Sequence, residues 1–255
     1  MGPIRVKDYY EQEASKLEHH QRRMYLGDPW NRYWHGERLR EILRVAGKIA
    51  FSDFLDVGCA EGYYIKLFMI QYGFRIGAGA DIAKAYLLKA KKEVPKSSLV
   101  LADAHNLPFQ ENSFDLVLCS EVLEHVSNPE LALRELVRVS REYILVSGDG
   151  ENLFYHFAKK VGLVASKDPY AHIGYGHIHE IRVSETIIPW ASKIGCEYIY
   201  GVVSCYFPIS FLKKHRIPIL FIPAIKVADK LISKLPIMNQ FGHIQIALLR
   251  KLQNQ

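Results

Sequence analysis

"FLDVGCAEGYYIKLF", residues 54–68, decides how the rest of the chain is read. An apolar run reaches Asp56, crosses a turn with glycines at 58 and 62, and resumes with helical spacing. Glycine lets the backbone bend sharply and lets a ligand approach it closely. A buried strand that ends on an acid and turns straight into a helix is placed to bind something outside its carboxyl end.

Outward from this turn the chain alternates short apolar strands with helices. The strand at 54–58 leads to a helix over 62–72, "RIGAGADI" (75–82) to a helix over 83–93, and "SLVLAD" (98–103) to a loop. "FDLVLCS" (114–120) precedes a helix over 129–139, and "EYILVSG" (142–148) follows it. Strands apolar on both faces and separated by helices predict an α/β fold with a parallel sheet covered on each side. A helix over 184–194, a strand over 196–203 and a last strand over 243–251 continue the pattern around two insertions, 149–183 and 205–242. Residues 1–50 read as a helical segment ahead of a domain at 51–251. Asp28 is placed as a cap, Pro29 stands in the first turn, and Leu39, Ile42, Leu43, Ala46 and Ile49 recur on one face.

The bulk numbers bound the function. With 49% hydrophobic and 24% charged residues the composition is that of an ordinary globular protein. The most apolar stretch, "IPILFIPAI" (217–225), is too short and proline-broken to span a bilayer. The polar start of the chain is unlike a secretory signal, so a cytoplasmic location is expected. Cys59, Cys119, Cys196 and Cys205 have no disulfide-framework spacing and read as buried thiols. The net charge of +6 comes from scattered basic residues, which disfavours a nucleic-acid groove.

Three ligand classes compete for the turn. A triphosphate loop needs Lys-Ser/Thr after its last glycine, and no such pair follows Gly62. A dinucleotide fingerprint needs glycine where this chain has Tyr63. Asp56 and Glu61 would repel a pyrophosphate but tolerate an amino group and a sulfonium.

"LDVGCAEG", Asp81 and Asp103-Ala104 at the next two strand ends, and "LPFQENSFDLVLCSEVLEHV" together resemble the class I S-adenosylmethionine-dependent methyltransferases, in their type-11, ubiquinone/menaquinone-biosynthesis-like branch. The resemblance covers about 51–148 well and 184–251 in outline. It implies a Rossmann-like seven-stranded sheet of order 3-2-1-4-5-7-6 with the last strand antiparallel, and S-adenosylmethionine as cofactor. It carries cofactor contacts onto Asp56, Gly58, Cys59, Ala60 and Gly62 of the first motif. Asp81 would serve the ribose, Asp103 with Ala104 the adenine, and Ser120 with Glu121 the methionine end, with Ile82 a further cofactor contact. Ala60 departs from the family's commoner glycine.

The acceptor is less legible. Glu124, His125, His172, His177 and His179 are the available bases, with His125 and His177 the weak catalytic candidates. The histidines of "HIGYGHIHE" lack a partner at metal-ligand spacing, and no metal is expected. An Asp/Asn-Pro-Pro-aromatic motif, usual in enzymes that methylate base or glutamine amines, is replaced by "CSEVLEHV". In "IPAIKVADKLISKLP" the pattern places Lys226, Asp229, Lys230, Ser233 and Lys234 on one helical face and the apolar residues on the other. That suits a membrane-surface contact through 207–240, or packing on the sheet edge or in a homodimer. The expected reaction is methyl transfer to an O or C atom of a small or lipid-like acceptor. The rivals are an RNA-directed methyltransferase and a cofactor-binding partner protein without catalysis.

Overall fold

The computed structural model describes residues 6–16, 20–150, 179, 181–207, 216–235, 238 and 241–252. His172 and His177 therefore lie outside the described residues, as does most of the first insertion.

β1 (Asp53–Val57) is buried along its whole length and lies between β2 (Ile76–Asp81) and β4 (Phe114–Ser120), parallel to both. β3 (Ser98–Leu101) extends the sheet beyond β2, and β5 (Ser140–Asp149) extends it beyond β4, again in parallel. β7 (Ile244–Lys251) then runs antiparallel between β5 and β6 (Cys196–Ser204). The order β3-β2-β1-β4-β5-β7-β6 is the one expected from the sequence. Its winding reverses between β1 and β4, which opens a crevice outside their carboxyl ends.

Side chains of β1 alternate between two cores. Leu55 and Val57 join Val117, Cys119, Val146 and, from α6 (Pro129–Val139), Leu133 and Leu136. α7 (Ile188–Lys193) closes this face with Ala191. Phe54 faces the other way and stacks on Phe68 of α4 (Tyr63–Tyr72) with ring centroids 4.5 Å apart. That second core also takes Leu87 of α5 (Lys84–Glu93). It includes residues from ahead of the sheet: Tyr25 of α2 (His20–Leu26), and Trp30, Tyr33, Ile42 and Val45 of α3 (Pro29–Ala46). Asp28 caps α3 through its Oδ1, which accepts from the Trp30 and Asn31 amides, and Pro29 follows as expected. α1 (Val6–Lys16) packs on α5.

Two elements differ from expectation. The helix expected over 184–194 begins as a wider π turn, Val183–Ile187, before α7. Pro189 supplies no N–H there, and the Ile187 amide reaches back to the Arg182 carbonyl. The second difference is in α8 (Ile222–Ile232). The expected polar face included Asp229, but Asp229 is buried while Val227 and Leu231 are exposed. Its carboxylate accepts from the Tyr206 amide (3.0 Å) and from the Tyr33 hydroxyl, and these bonds set the rotation of the helix.

Candidate functional site

The turn from β1 to α4 carries three residues with left-handed backbone, Gly58 (φ 76°), Ala60 (φ 45°) and Gly62 (φ 78°). A Cβ on Gly58 would come within 2.2 Å of Val122 Cγ2, so no side chain fits there without displacing that of Val122. The Gly58 and Cys59 amides donate to the Ala80 carbonyl at the end of β2. Cys59 itself is buried in the second core, so its thiol is not at the surface of the turn.

Asp81 ties the turn to the next strand. Its Oδ2 accepts from the Ala60 amide and its Oδ1 from the Ala83 amide, both at 2.8 Å. Each carboxylate oxygen can accept more than once, so hydroxyl donors from a ligand remain acceptable. Burial pushes the Asp81 pKa up to about 6, against the pull of those backbone amides. Asp56, only 1% exposed, also has its pKa raised, by burial first and then by the neighbouring Asp81 charge. Its Oδ2 has no hydrogen-bond partner among the described residues. An enclosed acceptor without a donor costs about 1–3 kcal/mol, which a ligand's N–H would relieve.

Beyond Asp81, Ile82, Leu101, Ala102 and Asp103 line an open depression of about 480 Å³ with Val6 and Lys7 of α1. Asp103 Oδ1 holds the His105 ring at 2.6 Å and the His105 amide at 2.9 Å. Ala104 is buried in the first core. The structure therefore brings Ile82 and Asp103 together and adds α1 as a wall.

On the other side of the turn, Ser120 and Glu121 end β4. Glu121 takes a left-handed backbone (φ 57°), uncommon outside glycine and often a mark of functional strain. Its carboxylate accepts from Arg38 Nη1 of α3 at 2.6 Å and from the Ser147 hydroxyl at 3.0 Å. Ser120 Oγ lies 2.8 Å from Ser147 Oγ and 3.3 Å from the Tyr64 hydroxyl. Arg38 is 2% exposed. Neither Arg38 nor Ser147 was expected from the sequence. The available signal was a cation on the stripe of α3 that Ile42 and Val45 bury.

α2 covers the turn itself. Glu61 accepts from the His20 and Gln21 amides at 2.9 and 3.0 Å, and Gln21 Oε1 accepts from the Tyr63 amide at 3.0 Å. Glu61 therefore serves the protein rather than a ligand. Near the crevice, the His125 ring meets Tyr10 of α1 edge-on at 5.5 Å, and the His179 amide donates to the Glu124 carbonyl. Among the described residues no three His, Cys, Asp or Glu gather as a metal site. Asp56 and Asp81 are buried at the turn and Asp103 lines the depression beside it, an acidic neighbourhood that suits a ligand rich in hydrogen-bond donors.

The family model described as "Methyltransferase domain" matches residues 55–143. A malonyl-(acyl-carrier protein) O-methyltransferase of Legionella pneumophila is 36% identical over 107 residues, 41% of this chain and 37% of that one. Norajmaline N-methyltransferase of Rauvolfia serpentina is 35% identical over 99 residues, 35% of this chain and 32% of that one. The chain thus spans about a third of the length of these curated relatives. The solved N-methyltransferase NodS of Bradyrhizobium japonicum, in complex with S-adenosyl-L-homocysteine, matches at TM-score 0.63 and 14% identity. That match covers 98% of this chain and 100% of the other, and at this identity it speaks for the fold. The segment that matches the methyltransferase-domain model thus lies across β1 to β5, in a Rossmann-like seven-stranded sheet.

Proposed function

We propose that the chain is an S-adenosylmethionine-dependent methyltransferase acting at an O or C atom of a small or lipid-like acceptor. The observation that carries the reading is the set of acids at three neighbouring strand ends, Asp56, Asp81 and Asp103, around a turn no side chain can enter at Gly58. Bound S-adenosylmethionine supplies a methyl group already activated by its sulfonium.

The residues' own part is binding and alignment. Asp81 would take the ribose hydroxyls, and Asp103 with Ile82 the adenine. The orphaned oxygen of Asp56 would accept from the amino group of the methionine end, and the Ser120–Glu121–Arg38 network would serve that same end. Holding the acceptor atom in line with the methyl group can supply several kcal/mol through effective molarity. Charge disperses as the methyl moves, so a weakly polar site favours the transition state.

A nucleic-acid acceptor has little support, because many basic side chains are already paired. Lys66 holds Glu93 at 2.7 Å, Arg134 holds Glu130 at 2.8 Å, Arg138 holds Glu135 at 2.7 Å, and Arg75 holds Asp53 at 2.5 Å. A labelled-methyl assay against fractionated cell extract, with mass analysis of the product, tests the proposal. A labelled small or lipid-like product is expected. Label found only in RNA, or in no fraction despite cofactor binding, would contradict it.

A further inference from the structure

α8 presents a face that methyl transfer does not use. Its residues form three lines. Ile222, Ile225, Asp229 and Ile232 turn toward the protein and are half-buried or buried. Val227 and Leu231, continued by Leu220 two turns before and Leu235 one turn beyond, are 60%, 59%, 73% and 53% exposed. Lys226, Lys230 and Lys234 run beside them, also exposed.

This rotation is held from within. An amphipathic helix free to choose would bury Val227 and Leu231 and put its aspartate in water. Here Asp229 is bonded to the Tyr206 amide and the Tyr33 hydroxyl, so the apolar line is kept outward. The surface continues into the 3-10 turn Ile219–Phe221, where Ile219 and Phe221 are about half exposed. Ile219 also borders an open depression of about 550 Å³ with Trp30, Arg216, Ile217 and Pro218.

The charges choose among occupants. Between 216 and 235 the chain has Arg216 and three lysines, and its only acid is the buried Asp229. Glu37 of α3 is paired with Arg40, and Asp28, which borders the same depression as Arg216, spends its side chain on capping α3. A second copy docking by the same helix would bring the lysine lines together. An anionic bilayer satisfies both lines: apolar side chains enter the acyl boundary while lysines reach the phosphates. We propose that α8 and the turn before it seat the protein on an anionic lipid surface. Val227, Leu231 and Leu220 enter the boundary, and Lys226, Lys230, Lys234 and Arg216 face the headgroups.

The inference does not depend on the methyl-transfer reading, since its test needs neither cofactor nor acceptor. The full chain is sedimented with vesicles of phosphatidylcholine alone and of phosphatidylcholine mixed with phosphatidylglycerol, at low and high salt. Binding is expected to the mixed vesicles only, and to weaken with salt. Val227→Gln/Leu231→Gln and Lys226→Gln/Lys230→Gln/Lys234→Gln should each weaken it at least about tenfold. These positions are exposed, and circular dichroism checks that the variants stay folded. No binding to either vesicle, or binding that both variants leave intact, would overturn the proposal. So would a dimer that Val227→Gln/Leu231→Gln dissociates, in a chain that ignores vesicles.

Discussion

Ala60 is the residue where this chain differs most plainly from the methyltransferase first motif it resembles. The structure shows what the difference costs. Its φ of 45° lies where any Cβ is strained, and its amide is held there by Asp81. Ala60→Gly should release about 1 kcal/mol, read as a rise in thermal midpoint of about 2–4 °C for a chain this size. Asp81 makes a second expectation. Its folded pKa of about 6 stands above the unfolded carboxylate value. Its proton therefore favours the folded chain at low pH, and that contribution is lost as pH rises through about 6. Ligand binding runs the other way, because ribose hydroxyls need an ionised acceptor. The thermal shift given by S-adenosylhomocysteine should be larger at pH 7.5 than at pH 5, as differential scanning fluorimetry can record. An equal shift at both would remove Asp81 from the ribose. Arg38 makes a third. Truncating one partner of a buried ion pair costs about 3–5 kcal/mol, so Arg38→Ala should lower the thermal midpoint sharply and weaken homocysteine-end binding. Arg38→Lys should recover only part of it, since lysine lacks the planar fork. The acids at the strand ends were legible because each follows an apolar run. Arg38 and Ser147 were not, because their meeting with Glu121 depends on how α3 lies across β4 and β5.

At the scale of elements, the strands were read well for a physical reason. Each is a short apolar run bounded by an acid, a glycine or a lysine-rich helix, and burial on both faces leaves few alternatives. "FDLVLCS" and the helix at 129–139 match β4 and α6 residue for residue. α8 escaped because amphipathic pattern assumes that acids seek water. Asp229 instead finds Tyr33 and the Tyr206 amide, distant in sequence. The placing of α1 and α2 over the crevice was equally hidden, since Glu61 meets His20 and Gln21 across 41 and 40 residues. Glu61→Ala removes the acceptor for two amides at the start of α2. A lost cap of this kind costs about 0.5–2 kcal/mol, and amide hydrogen exchange over residues 20–26 should quicken while β1 and β4 keep their protection. Unchanged exchange would show that Glu61 does not anchor the helix.

For the whole molecule, the sheet order and the turn together decide where chemistry can occur. The crossing between β1 and β4 opens a crevice outside their carboxyl ends, with Asp56 and Asp81 buried at the turn beside it and α1 lining the neighbouring depression at Asp103. The basic surface that gives the net charge of +6 is spent on ion pairs around the body and left unpaired by any acid of its own helix along α8. The central claim is that the crevice holds an adenosyl sulfonium through carboxylates. Isothermal titration calorimetry of S-adenosylmethionine and S-adenosylhomocysteine into the native chain and into Asp81→Ala tests it most directly. Saturable heat with the native protein, weakened at least about tenfold in the variant by loss of a charge-assisted acceptor, is the expected result. No heat with either ligand, or equal affinity for both proteins, would contradict it.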